Sequence, residues 1–360
     1  MKRNKMVFIY FAVTAAAVLG ILYLLQLLFM PKYMGAVREG ALVAEYYNET
    51  TPHDVIFIGD CEVYENFSPV TLWEKYGITS YIRGTPQQLI WQSYYLLEET
   101  LMYEKPKVVV FNVLSMKYGE PQNEAYNRMT LDGMRLSSAK IKAIKASMTP
   151  EEDLLSYIFP FLRFHSRWSE LSSDDVKYMF YKKPVSHNGY LMRVDIKAAG
   201  QPPIPQKLAD YTFSDVCYNY LDMMVELCKE NGIQLILIKA PSIYPHWYDE
   251  WDQQMVDYAE RKGLTYINFL KLNEQTGLDL RTDTYDSGLH LNIYGAEKLS
   301  AYLGGILKRD FNIPDRRADK ELSKVWAGKV AAYYEEKAAQ EKELAEFGFL
   351  KSLVVEKEKE

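Results

Sequence analysis

The side chains best suited to chemistry fall in two short stretches far apart in the chain. The first, VIFIGDCEVYENFSP at residues 55–69, begins as a buried strand pattern and ends in a loop, with Gly59-Asp60-Cys61 at the join. A strand that empties into Gly-Asp and then a small nucleophilic side chain has the form of a catalytic turn. The second, TDTYDSGLHLN at residues 282–292, sets Asp283, Asp286 and His290 in a loop ahead of a helix. Nucleophile, base and base-orienting carboxylate make a triad, in which His290 takes the proton of Cys61 and a carboxylate fixes the imidazole tautomer. Asp286 and Asp283 both qualify as that carboxylate. Three roles stay open for Cys61: an acyl-carrying nucleophile, a position in a binding module without catalysis, or a packing residue. A free thiol ionises near about 8.5, lower beside an imidazolium. Against that, sulfur is larger than oxygen, and a misplacement of ~1 Å can cost on the order of 100-fold in rate.

These residues need a frame that brings them together. Apolar runs at residues 55–58, 107–113, 233–240 and 264–269, with a shorter one at 80–82, read as strands. Between them, helical periodicity marks residues 87–103, 213–230 and 247–262, and a last helix starts at Asn292, a good N-cap. Strands alternating with helices predict an α/β protein whose parallel sheet is covered on both faces. Ligands bind such sheets at the carboxyl ends of the strands, where Cys61, Gly84, Asn112 and residues 239–241 fall. The N–H groups of Cys61 and Gly84 and the Asn112 amide could there meet a developing oxyanion, each donor being worth ~10²–10³ in rate. Asn112 could equally cap the turn after its strand.

The alternation breaks between residues 115 and 211, read as a cap-like insertion. In it, LRFHSRW carries Arg163, His165 and Arg167. On an extended chain these alternate positions would converge on an anionic substrate; otherwise they pair with acidic neighbours. His187 and His246 are expected in loops, and a stacking role beside Trp247 is open to His246. Beyond Pro314, a charged helix over residues 315–347 carries an apolar stripe of Leu322, Val325, Trp326, Val330 and Tyr333 that should dock on the main domain, residues 40–312. Residues 348–360, ending in EKEKE, are expected to be a solvated tail.

The start of the chain sets location. Residues 6–30 carry no charge. At about 1.5 Å per residue they exceed a hydrocarbon core of about 30 Å. They read as an uncleaved signal anchor after a cytoplasmic tail of residues 1–5. Lys2, Arg3 and Lys5 favour a cytoplasmic N-terminus, with the main domain on the other side of the cell membrane. A net charge of -6 argues against a nucleic-acid partner. The 29 tyrosines suit either a saccharide cleft or a core. Three cysteines are too few for a disulfide framework and lack metal-ligand spacing, and Cys217 and Cys228 share one helix as packing residues. No metal and no cofactor is expected.

Both stretches resemble the SGNH/GDSL hydrolase superfamily, in its membrane-anchored extracytoplasmic branch. That branch includes the D-alanine transfer protein of teichoic-acid modification and alginate O-acetylation proteins. DSGLHLNIYGAEKLSAYL is similar to the family's Asp/His block, and FIGDCEVYENFSPVTLWEKYGI to its first block, where the family carries serine in place of Cys61. The resemblance implies a flavodoxin-like three-layer α/β/α fold. It places Cys61 at the nucleophile, His290 at the base, Asp286 at the acid with three intervening residues instead of two, and Gly84 and Asn112 at the oxyanion hole. It further implies an acyltransferase or esterase acting on ester-linked acyl groups of cell-envelope polysaccharide or teichoic acid. Such a protein would work beside a membrane-bound O-acyltransferase; the alternative is an inactive module that binds polymer or scaffolds that enzyme.

Overall fold

Apolar runs too short for a helix and free of alternation become strands buried on both faces. A computed structural model describes residues 2–30, 38–182, 184–201 and 204–353. Its sheet has β1 Val55–Gly59, β2 Ser80–Gly84, β3 Val108–Asn112, β4 Gln234–Lys239 and β5 Thr265–Asn268. All pairings are parallel, in the order β2-β1-β3-β4-β5, the flavodoxin-like order. Alternate residues feed two cores. Ile56, Ile58, Val109, Phe111, Leu235 and Leu237 face one, and Val55, Phe57, Val108, Val110, Ile236 and Ile238 the other.

In chain order the helices are α1 Lys2–Phe29, α2 Arg38–Glu45, α3 Cys61–Tyr64, α4 Pro69–Tyr76 and α5 Ile90–Thr100. The insertion after β3 holds α6 Glu124–Leu131, α7 Ser138–Ser147, α8 Leu154–Ile158, α9 Phe161–Phe164 and α10 Ser173–Phe180. Then follow α11 Asp215–Glu230, α12 Asp249–Lys262, α13 Asn273–Thr276, α14 Ile293–Asp310 and α15 Lys320–Phe347. Residues of α5, α7, α11 and α12 fill the first core, and those of α4, α14 and α15 the second. The expected helix limits shrink where caps decide them: Ser214 caps α11 by accepting from Cys217 N, and Gly263 ends α12 in a left-handed conformation. The α15 stripe docks as its pattern requires, with Trp326 stacked on Trp73 at 5.1 Å and Tyr333 buried. Residues 2–5 continue α1 as helix, and the EKEKE segment lies outside the described residues.

The insertion divides into two parts. Residues 124–180 are helical. Residues 187–199 form an irregular strap along the edge strand β2, where Ile82 N donates to Asn188 O at 2.9 Å. Gly189 permits that approach: its φ is +84°, and a Cβ there would lie 2.0 Å from Ile82 O. The strap then runs to the loop before α14. Lys197 N donates to Thr284 O, Ser287 N to Lys197 O, and Ile293 N to Arg193 O.

A buried ionic knot ties the strand ends. Lys239 Nζ, at the end of β4, donates to Glu62 Oε1 and Oε2 at 2.8 and 2.9 Å, and both side chains are fully buried. Asn112, at the end of β3, donates to Asp60 Oδ1 and Glu62 Oε2 and accepts from Ala240 N. Removing one member of a buried pair leaves the other charge without compensation. Lys239→Met should therefore lower unfolding stability by about 3–5 kcal/mol, measured by denaturant unfolding of the full chain in detergent.

Candidate active site

The turn after β1 is set by Asp60, which caps α3 by accepting Glu62 N–H at 3.1 Å. This makes Cys61 the first residue of α3, half-buried at the carboxyl edge of the sheet, with a free thiol. Gly84 ends β2 beside Gly59. A Cβ on Gly84 would come within 2.9 Å of Val63 and 3.0 Å of Gly59 O, so only glycine lets β2 close on the nucleophile turn.

The distant loop brings the base. Thr284 and Leu291 form an antiparallel bridge, which folds residues 284–291 into a tight excursion. Ser287 at φ +70° and Gly288 at φ +100° absorb the extra residue between acid and histidine. Asp286 reaches His290 despite the longer spacing: Oδ2 lies 2.6 Å from Nδ1, and Oδ1 accepts the His290 backbone N–H at 2.8 Å. Asp283 points elsewhere, accepting from Asp279 N and Lys298 Nζ. Of the two expected acids, Asp286 is the one on the imidazole. In the neutral ring, an Nδ1–H···Asp286 bond leaves His290 Nε2 as the lone-pair nitrogen. That atom is buried and without a hydrogen-bond partner. The Cys61 side chain lies close enough to the ring for each to shift the other's ionisation.

Residues not singled out from sequence complete the surroundings. Glu65, buried one turn after Cys61, places Oε2 3.2 Å from His290 Nδ1 and accepts the Tyr285 hydroxyl. The Tyr285 ring stacks on the imidazole and lies under Arg193. Asn66, fully buried, accepts Leu291 N–H at 2.7 Å and donates to Ser242, stapling the nucleophile turn to the histidine loop. Lys117, just beyond β3, has no ion pair among the described residues. Burial pulls its ammonium below the usual lysine range, while Asp60 and Glu62 pull it back. ENF after the turn is the sole local trace of Glu65 and Asn66, since their partners lie 176 to 225 residues on.

The protonation pattern is unusual for a thiol nucleophile. Burial pushes the Cys61 thiol up to about 11; His290 opposes this, and Asp60 and Glu65 add to it. Burial also works against a charged His290, but Glu65, Asp286 and Cys61 outweigh it and hold the imidazole well above its ordinary value. Both shifts favour the protonated forms, the thiol and the imidazolium.

The other expected site residues lie apart from this pair. Asn112 has both amide hydrogens committed to Asp60 and Glu62, so it braces the turn and has none left for an oxyanion. LRFHSRW is not extended. Pro160 sits between α8 and α9, and Arg163, His165 and Arg167 follow a helical path that spreads them. Arg163 pairs with Glu124, His165 Nδ1 bonds Leu162 O, and Arg167 bonds Phe29 O and Met30 O. His187 bonds Glu336 of α15. His246 packs edge-on to Tyr248, while Trp247 turns inward against Phe213 and Trp251. Among the described residues, Glu65, Asp286 and His290 form the one group close enough to share a metal ion. Their hydrogen bonding already accounts for that closeness.

No family model and no curated protein matches the chain. Among solved structures, the chain is similar to a candidate acylhydrolase of Bacteroides fragilis at 12% identity, over 74% of this chain and 95% of that one, with a TM-score of 0.36. It is also similar to a GDSL-like lipase of Bacteroides thetaiotaomicron at 13% identity, over 76% and 98%, with a TM-score of 0.35. Likenesses this slight say nothing of activity or substrate.

The pH dependence has a definite sign. Below the raised His290 pKa the imidazolium cannot accept the thiol proton, so Cys61 reactivity should climb along a limb whose midpoint lies well above 6.5. Glu65→Gln removes a carboxylate that holds the imidazolium and should shift that limb to lower pH. The pH–rate profile of Cys61 acylation by p-nitrophenyl acetate checks both statements; an unmoved limb in Glu65→Gln would exclude Glu65 from the histidine's electrostatics.

Proposed function

We propose that the chain is a membrane-anchored, SGNH-like acyl-transfer enzyme, an acyltransferase or esterase, with Cys61 as nucleophile, His290 as base and Asp286 as the residue that orients it. The observation carrying this reading is the Asp286–His290 Nδ1 contact of 2.6 Å, on an imidazole close enough to the Cys61 side chain that each shifts the other's ionisation.

The step follows from that arrangement. From the state with a neutral imidazole, Cys61 Sγ attacks the carbonyl carbon of an ester as its proton passes to His290 Nε2. The tetrahedral oxyanion collapses, the alcohol leaves with the proton from Nε2, and a thioester remains on Cys61. Water or a second hydroxyl, deprotonated by His290, then takes the acyl group and returns the thiol. The backbone N–H groups of Cys61 and Gly84 are the proposed oxyanion donors, with the Lys117 ammonium as nearby positive charge. The substrate class is ester-linked acyl groups on cell-envelope polysaccharide or teichoic acid, with a membrane-bound O-acyltransferase as the acyl source. Support for the anchor is α1, whose residues Lys5–Phe29 are long and apolar enough to cross a bilayer. On this reading the N-terminus is cytoplasmic and the domain extracytoplasmic.

The elevated thiol supports a second reading, in which the same fold binds polymer or scaffolds an acyltransferase without catalysis. Intact mass of the full chain after exposure to p-nitrophenyl acetate separates the two. The catalytic reading expects one acyl group on Cys61 that is absent in Cys61→Ala, with turnover slowed about 10²–10⁴-fold in His290→Ala. No acyl-enzyme at any pH, with polymer binding intact in Cys61→Ala, would establish the scaffold instead.

A further inference from the structure

Arg167 connects the insertion to the apolar helix. Its Nη1 donates to Phe29 O at 2.9 Å and Met30 O at 2.8 Å, the last carbonyls of α1. Nε and Nη2 are held by Glu170 and Asp175. Phe29 is buried and packs edge-on to Phe161 of α9 at 5.1 Å. From residue 5 to residue 24, α1 is exposed at every position except Ala15, whereas residues 25–30 are partly or fully covered. The folded chain therefore grips only the last turn and a half of α1.

Lengths say where that grip lies. The 25 residues of Lys5–Phe29 span about 37 Å at about 1.5 Å each, against a hydrocarbon core of about 30 Å. The surplus is about five residues, the same stretch that α9, α10 and the turn between them cover. Those elements thus sit at headgroup depth, and their surface suits it. Among the described residues, seven of the seventeen large apolar side chains exposed beyond residue 30 fall within residues 155–181. Trp168 is 73% exposed, Phe180 77% and Tyr181 71%. Val176 and Phe180, four apart, share one face of α10, and Phe159 and Leu162 are half exposed beside α9. A concentration of exposed Trp, Tyr and Phe is costly in water and favoured at the bilayer interface.

We propose that the face formed by residues 155–181 lies in the headgroup layer of the same bilayer that α1 spans, so that the domain is laid on the membrane in a fixed attitude instead of hanging from a tether. The occupant of the face is phospholipid. The inference rests on reading α1 as a membrane span, and continuity with the end of that span is what selects lipid over a protein partner.

The test uses the full chain carrying Cys61→Ser, in phosphatidylcholine–phosphatidylglycerol vesicles free of other proteins. One spin label is placed at a time through Leu19→Cys, Trp168→Cys, Phe180→Cys or Lys342→Cys. Relaxation by oxygen, which partitions into lipid, is compared with relaxation by a water-soluble nickel chelate. Labels at 19, 168 and 180 should favour oxygen, and the label at 342 should favour nickel. Lipid exposure at 19 with water exposure at both 168 and 180 overturns the interfacial face while leaving the span intact, and assigns the face to a protein partner. Water exposure at 19 removes the span and this inference together. A second measurement guards against label damage: Trp168→Phe in the otherwise native chain should remove a share of the tryptophan emission quenched by brominated phospholipid, and an unchanged quenched share counts against the face.

Discussion

The contact on which the site depends is the buried pair between Glu62 and Lys239. Each belongs to a different strand end: Glu62 to the helix leaving β1, Lys239 to the last position of β4. Asn112 of β3 joins them, so the pair fixes three strand ends against one another where the chemistry must sit. Taking two charges out of water costs several kcal/mol per ion. The cost is met by hydrogen bonds at the exposed lone pairs, with Ala240 O also accepting from Lys239. One ammonium faces two acids, and burial together with Glu62 pushes Asp60 up to about 7. The turn carrying Cys61 is thus rigid and electrically negative.

That negative setting explains the proton inventory. Low-pKa thiols are usually found in electropositive places, where the thiolate accumulates before substrate arrives. Here Asp60 and Glu65 oppose the thiolate, and Glu65 and Asp286 hold the imidazolium. The arrangement suits a nucleophile that loses its proton only as the carbon–nucleophile bond forms, which is how a hydroxyl must react. Cysteine in this place keeps the geometry of the turn but gains little from its intrinsic acidity. A second carboxylate on Nδ1 strengthens the orientation of the ring while delaying the point at which it can act as a base.

The middle of the sheet was readable because β1, β3 and β4 are largely uninterrupted apolar runs, the form a doubly covered strand must take. The Cys61 and His290 stretches were readable because each couples a tight turn to a reactive side chain. The choice between Asp283 and Asp286 was not, because it depends on the positive φ at Ser287 and Gly288 and on the Thr284–Leu291 bridge. Glu65, Asn66 and Lys117 were illegible for another reason. Each looks like an ordinary polar residue until a segment more than 50 residues distant comes to rest beside it. LRFHSRW was ambiguous by alternation alone, and the break at Pro160 followed by helical turns settled its geometry.

The two parts of the insertion hold opposite ends of one arrangement. The helical part grips the last turn of α1 through Arg167 and Phe161. The strap holds the histidine loop: Lys197 O accepts from Thr284 Oγ1 and Ser287 N, Asp195 O from Asn292, and Ala199 N donates to Leu280 O. A loop with left-handed residues at 287 and 288 has few contacts of its own to specify such a conformation. The strap supplies them with backbone groups, whose positions do not depend on side-chain rotamers. The position of Asp286 against His290 therefore rests on a segment that sequence periodicity marks only as irregular. An insertion of this kind is first a positioning element, and any covering of the site is secondary to it.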